Sequence, residues 1–234
     1  MHWHELTLEE FQAGQIILVD KPLKWTSFDV VNKMRWLIRQ KFGIKKIKVG
    51  HAGTLDPLAT GLLVICVGKK TKEIPSFIND EKIYSGTFLL GKTTPCYDLE
   101  QEFDAEFPID HITKEQILKT AESFLGEQQQ VPPTFSAKQV DGKRAYDLAR
   151  AGEEIVLKSN TIHIQSFEVD SSRFPEVDFR IACSKGTYIR SIANDFGQKL
   201  NSGATLIKLH REGSGDFNIN DAVNLDEWIR TFEK

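Results

Sequence analysis

The stretch GHAGTLDPLATGLLVICVG, residues 50 to 68, constrains this chain more than any other. From Leu62 it is an unbroken apolar run that reads as a rigid strand. Gly50, Gly53 and Gly61 stand ahead of that run. Each costs chain entropy and permits close backbone approach to something large. His51, Thr54 and Asp56 add polar side chains to the same short loop. A carboxylate held on such a support is placed to attack a sugar or a base, or to assist glycosidic cleavage. Taken alone, Asp56-Pro57 also suits a helix start, with aspartate as N-cap and proline at the first helical position.

The remaining elements follow from periodicity. GQIILVDKP reads as a strand stopped by Pro22, and TSFDVVNKMRWLIRQKFG as a helix capped at Thr26 or Ser27 and ended by Gly43. KIYSGTFLLG alternates as a strand does. ITKEQILKTAESFLGE is an amphipathic helix with a capping box at Thr113 and Gln116. A long loop and a short helix through Leu148 come next. Strands at TIHIQSFEV and VDFRIACS, a helix from Tyr188 to Leu200, a strand near Ala204–Leu209 and a closing helix complete the chain. Hairpins mixed with helices predict an α+β fold on a mixed, mostly antiparallel sheet flanked by helices.

Composition narrows the class. Apolar residues make up 40% of the 234, enough for one substantial core, with at most a small appendage. No apolar run approaches the roughly 20 residues that span a bilayer. The start, MHWHELTLEEFQAG, lacks the basic and apolar regions of a secretion signal. Cys66, Cys96 and Cys183 have no metal-type spacing and are odd in number, which suits a reducing, cytoplasmic setting. Cys66 and Cys183 lie in apolar runs, where buried packing is expected.

Net charge of −3 argues against indiscriminate coating of nucleic acid, yet the charges are unevenly placed. Lys33 to Lys48 holds seven Lys or Arg and no acid, and Lys69, Lys70 and Lys72 follow. Such a run is either a solvated helix face with a basic loop or a local phosphate-binding surface. Charge alone leaves both open.

GTFLLGKT, Gly86 to Thr93, matches the phosphate-cradling pattern G-x-x-x-x-G-K-[ST]. That motif works by opening a helix whose N–H groups meet phosphate. Here TFLL reads as strand interior, and Pro95 follows Thr93 within two residues. The match is expected to be fortuitous.

GHAGTLDPLATGLL resembles the active-site motif of the bacterial tRNA pseudouridine-55 synthase family, and it has company. LVDKPLKWTSFDVV, YSGTFLLGKTTPCYD, VPPTFSAKQVDGKRAYDLAR and CSKGTYIRSIANDFGQKL resemble the family's other motifs, in family order, from about residue 14 to residue 217. The resemblance implies a pseudouridine-synthase-type catalytic domain over 14–217. Residues 1–13 would be an N-terminal extension and 218–234 a C-terminal helix, a short form without the PUA domain that many members carry. The implied activity isomerises the T-loop uridine of tRNA, exchanging its N1–C1′ bond for C5–C1′.

By the same resemblance Asp56 is the catalytic aspartate, Tyr84 the tyrosine that stacks on the flipped base, and Arg190 the arginine that pairs with the aspartate. His51 fills the space left by base flipping, Tyr188 is a pocket aromatic, and Leu209 lines the pocket. Lys21 supports the active-site loop, and Asp98 is the aspartate downstream of Tyr84. The basic segment with Lys45 and Lys46 is expected to meet phosphates of the tRNA T-arm. Nothing is oxidised, reduced or hydrolysed overall, so no cofactor or metal is demanded, and no obligate protein partner or membrane is implied. The sequence departs from the pattern at Gln101 (usually glycine), Phe135 (often tyrosine) and His210 (often arginine). Two other readings stand beside the isomerase. One is an RNA-binding or tRNA-folding factor on the same scaffold; the other, the weaker, is a nucleotide hydrolase using Lys92.

Overall fold

The computed structural model describes residues 3–135, 139–140, 143–144 and 157–232. The chain divides into two compact units, Met1–Tyr84 with His210–Lys234, and Ser85–Leu209.

In the first unit the strand Gln15–Lys21 pairs antiparallel with Ala59–Val67 along its whole length, from Gln15 opposite Val67 to Lys21 opposite Gly61. Val49–Ala52 also pairs antiparallel with Ala59–Val67, while Val223–Asn224 runs parallel to Gln15–Lys21, so the sheet is mixed. Every residue from Leu62 to Val67 is buried, because both faces of that strand are covered. Leu63, Ile65 and Val67 face a core shared with the helices Ser27–Phe42 and Leu225–Phe232. Leu62 and Val64 face the other way, against Ala52 and the partly buried Ile74 and Phe77. This explains an apolar run with no polar alternation.

The helix Ser27–Phe42 begins as its sequence predicts, with Thr26 as N-cap in a reciprocal box with Asp29, and it ends at Gly43 in the left-handed conformation. At the N-terminus, Leu8–Ala13 is a helix capped by Thr7, and its Phe11 is wholly buried in the same core. The closing helix is shorter than the sequence predicts. It spans only Leu225–Phe232, because the Asn224 side chain accepts the Asp226 and Glu227 N–H groups and starts it there.

The second unit is built on Asn160–Arg173, which pairs antiparallel with both Glu176–Cys183 and Gly126–Gln130. Its helices are Lys114–Glu122, with the predicted Thr113/Gln116 capping box, and Ile189–Lys199. Five phenylalanines pack in the core, with Phe88 stacked on Phe179 at 4.2 Å between ring centroids, and Phe196, Phe167 and Phe124 around them. The strand Lys82–Leu90 leaves the first unit after Tyr84.

The phosphate-loop look-alike is strand, as expected. A Cβ at Gly86 would lie 2.1 Å from the Lys208 carbonyl oxygen, so that glycine serves strand packing. Lys92-Thr93 pairs as a short strand with Ala105–Glu106, and Lys92 forms an ion pair with Glu106 at 2.8 Å. Asp56 does not cap a helix. Asp56 to Ala59 form a β-turn closed by the Ala59 N–H on the Asp56 carbonyl at 3.1 Å, and the chain enters strand directly. All three cysteines are buried. The helix expected through Leu148 lies outside the described residues. Among the described residues no helix is long and apolar enough to cross a membrane.

Candidate active site

The aspartate loop of the first unit is held by its backbone at several points. Ser27 Oγ accepts the Leu55 N–H at 2.8 Å and donates to the Leu55 carbonyl at 3.2 Å, tying residue 55 to the helix start. Lys21 is wholly buried, and its Nζ donates to the carbonyls of Pro22 (3.0 Å), Trp25 (2.5 Å) and Pro57 (3.4 Å). Burial pushes its ammonium down to about 8, and the charge of Asp56 opposes that fall, so the two groups share one field. Arg211, also buried, donates Nε to the Leu62 carbonyl at 2.7 Å and Nη2 to the Gly53 carbonyl at 3.1 Å. Gly61, at φ +100°, passes so close to Arg211 that a Cβ there would lie 2.4 Å from the Arg211 carbonyl oxygen. The glycine is required by that contact.

His51 lies on the strand entering this loop. Burial and the Arg211 charge hold its pKa below the usual value, so the ring is neutral near pH 7. Its buried Nδ1 has no hydrogen-bond partner among the described residues. Thr60 Oγ1 meets His210 Nδ1 at 2.9 Å, which gives the departing His210 an internal partner. Tyr84, 9% exposed, ends the first unit.

The second unit holds Arg190, the second residue of its helix. Arg190 Nε lies 3.6 Å from Asp98 Oδ2 with both side chains buried. Its Nη1 donates to the Phe135 carbonyl at 2.9 Å and the Cys96 carbonyl at 3.3 Å. The Phe135 contact is through backbone, so the absent tyrosine hydroxyl does not affect it. Asp98 therefore sits under Arg190 as its counter-ion. Tyr188 caps the same helix without a side-chain hydrogen bond of its own to the helix N–H groups. Buried Gln130 instead grips its peptide from both ends, accepting the Tyr188 N–H at 2.8 Å and donating to the Tyr188 carbonyl at 3.0 Å. Leu209 is buried at the end of this unit.

Lys45 and Lys46 line a cavity of about 580 Å³ in the first unit, together with Arg35, Arg39, Lys48, Lys69 and Lys72. Seven cations and no carboxylate line it. Arg211 and Gln130 were not legible as site residues. Gln130 falls in the expected long loop and Arg211 beyond the strand expected near Ala204–Leu209, whereas both lie on strands, Gly126–Gln130 and Ala204–Ser214, and nothing local marks them as turning inward.

A family model for "TruB family pseudouridylate synthase (N terminal domain)" matches residues 39–189. The tRNA pseudouridine synthase B of Phocaeicola vulgatus is 52% identical over 222 residues, covering 94% of each chain. That of Flavobacterium johnsoniae is 52% identical over 221 residues, covering 94% of this chain and 96% of the other. The Clostridium kluyveri protein of the same name is 44% identical, and the match covers 71% of it. Among solved structures, a chain in the crystal structure of a Cbf5-Nop10-Gar1 complex matches with a TM-score of 0.71 at 25% identity, over 97% of this chain and 56% of that one. This chain thus spans little more than half the length of that structural relative. A glycine-rich aspartate loop, a buried arginine under carboxylate control and half-identity across nearly the whole sequence agree, and the chain belongs to the TruB family of pseudouridylate synthases.

Proposed function

We propose that this chain isomerises the T-loop uridine of tRNA, position 55, to pseudouridine, with Asp56 as the catalytic carboxylate. The observation that carries the reading is the aspartate loop itself. Two buried cations, Lys21 and Arg211, fix the carbonyls that flank Asp56 and place positive charge beneath it. Such a support holds the turn that carries the carboxylate in one geometry before substrate arrives.

A uracil in a folded loop is out of reach until it leaves the stack, at a cost of a few kcal/mol. The rings of Tyr84 and Tyr188 offset that cost by stacking on the extruded base. Arg190, already fixed by Asp98 and two carbonyls, supplies a standing positive charge. The neutral His51 suits the space a departing base leaves, since a neutral ring carries less desolvation cost than an imidazolium. In the reaction the N1–C1′ bond breaks, the C5–C1′ bond forms, the C5 hydrogen leaves as a proton to solvent, and N1 takes up a proton in its place. The seven-cation cavity meets phosphates of the T-arm.

The test is tritium release from a tRNA transcript labelled at uridine C5. One equivalent released by the wild type, and none by Asp56→Asn while tRNA binding persists, supports the reading. Binding without release by the wild type overturns it in favour of an RNA-binding factor. Lys45→Ala with Lys46→Ala is expected to weaken binding and reduce its salt slope by about 2. An unchanged slope would place the cavity outside the interface.

A further inference from the structure

The cavity lined by Lys45 and Lys46 is built from separate stretches of the first unit. Arg35 and Arg39 come from the helix Ser27–Phe42, and Lys45, Lys46 and Lys48 from the segment after it. Lys69 and Lys72 come from the short 3-10 helix Gly68–Glu73. Hydrogen bonds fix these walls. The Gly68 N–H donates to the Lys48 carbonyl at 2.8 Å, joining two of them. Thr71 Oγ1 donates to the Gly68 carbonyl at 2.8 Å, and Arg35 Nη2 to the Val49 carbonyl at 2.9 Å. The backbone that carries the cations is therefore in place before any ligand arrives.

Internal partners for these charges are few. Arg35 is held by neutral acceptors, the Val49 carbonyl and Asn32 Oδ1. Among the described residues, the side chains of the other six cations make no hydrogen bond or ion pair. Glu73, the carboxylate closest to Lys72 in sequence, is taken by Lys70 at 2.8 Å, and neither lines the cavity. The Asp29 carboxylate accepts the Thr26 N–H and hydroxyl at the start of its helix, and it does not line the cavity either. Like charges held around one volume repel, and an entering anion relieves that repulsion. Shape then selects the kind of anion. A duplex carries its phosphates on a ridge, which meets one wall at a time. Here the cations surround about 580 Å³, a volume in the range of small-molecule sites. A compact chain of phosphates enters such a space and meets several walls at once.

We propose that this cavity binds a compact polyphosphate, a chain of three or more phosphates either free or carried on a nucleoside. The chain bridges the wall of Lys45 and Lys46 and the wall of Lys69 and Lys72. Because the same cations are assigned above to the T-arm, this ligand and tRNA exclude each other, and free polyphosphate restrains the enzyme. That competition rests on the RNA-substrate reading above. The site is separate from GTFLLGKT, and no hydrolysis is involved.

The full chain is titrated calorimetrically with inorganic tripolyphosphate at constant ionic strength, with orthophosphate as the control. One site per chain is expected, about tenfold tighter or more for tripolyphosphate, the scale of one further charge-assisted contact. Lys45→Ala with Lys46→Ala, and separately Lys69→Ala with Lys72→Ala, should each raise that Kd about a hundredfold. All four side chains are exposed, so neither pair disturbs the core. A loss from one pair alone places the ligand on a single wall and overturns the proposal. Adenosine triphosphate, titrated in parallel without added metal, separates the sources. Binding tighter than tripolyphosphate assigns the site to a nucleotide and weaker binding to the free chain, and both support the site. Tripolyphosphate should also raise the Kd for a tRNA transcript in proportion to its concentration, beyond a chloride control of equal ionic strength. Binding no tighter than orthophosphate, or a tRNA affinity that follows ionic strength alone, refutes the proposal. Tritium release separates the two readings. Release that tripolyphosphate leaves untouched sinks the polyphosphate site and spares the isomerase. Competitive tripolyphosphate binding without any release sinks the isomerase and spares the site.

Discussion

The two units fix their key groups with opposite charges and by different handles. In the first unit the group proposed for catalysis is a carboxylate, Asp56, and the buried supports are cations. Lys21 and Arg211 act on main-chain carbonyls around it, at Pro57, Gly53 and Leu62. In the second the group proposed for the site is a cation, Arg190, and its buried support is the carboxylate of Asp98, acting on the side chain itself. A short carboxylate on a turn is best placed by locking the turn. A long guanidinium with many rotamers has to be gripped directly. Each unit places the complementary charge in a buried position, where it is costly to leave unpaired and strongly felt.

If that contrast is right, breaking the direct grip costs most. Asp98→Ala leaves a buried guanidinium without its counter-ion, and stability is expected to fall by about 3 kcal/mol, read from urea unfolding. Turnover should fall further than tRNA binding. Arg211→Met removes two charge-assisted bonds to the loop carbonyls and should cost about 2 kcal/mol. An Asp56 loop that remained fully active without Arg211 would show that the backbone handle is dispensable.

Gln130 sharpens the comparison, because it is a neutral amide that grips backbone in the unit where the charge grip is on a side chain. Gln130→Ala should cost roughly 1–2 kcal/mol by removing the acceptor of the Tyr188 N–H, while the Tyr188 carbonyl keeps the Ile192 N–H. Gln130→Glu keeps the acceptor for the Tyr188 N–H but sets a carboxylate against the Tyr188 carbonyl. Its activity, measured against pH, should recover on acidification, when the protonated carboxyl donates again. A flat ratio to wild type would mean the amide merely fills space.

The last test is on Lys21 and concerns the slope of stability with pH. The folded lysine releases its proton near 8 and the unfolded one near 10.5. Below 8 both states are protonated, and the cost of burying the charge is fully present. Between 8 and 10.5 the unfolded state holds more protons, so this residue makes stability rise with pH. Urea midpoints at pH 7.5 and 9.5 should show that rise in the wild type and not in Lys21→Met. Equal slopes would refute the buried, depressed lysine.

Local signals in the sequence placed most of the elements. The Thr26 and Thr113 caps, the Gly43 stop and the alternation of 82–90 act over a few residues, and the structure bears them out. The failures come where a local signal had two outcomes. Asp56-Pro57 starts a turn as readily as a helix, and the strand from Ala59, locked between two others, decided for the turn. The closing helix carries its pattern from Ile219, but Asn224 caps it late and Val223–Asn224 is recruited as strand. GTFLLGKT satisfies a pattern, while the crowding of Gly86 against Lys208 shows why the same letters arise in a sheet.

The sequence by itself determined the α+β class, the family, and the residues proposed for chemistry, because glycines, an aspartate and apolar runs at fixed spacing are local facts. Only the tertiary structure decided what holds those residues still. Lys21 beneath Pro57, Arg211 beneath Gly53, Asp98 beneath Arg190 and Gln130 beneath Tyr188 are joined across 36 to 158 residues. A buried cation or amide acquires its meaning from the carbonyl or carboxylate that folding brings to it, and no periodicity along the chain records that encounter.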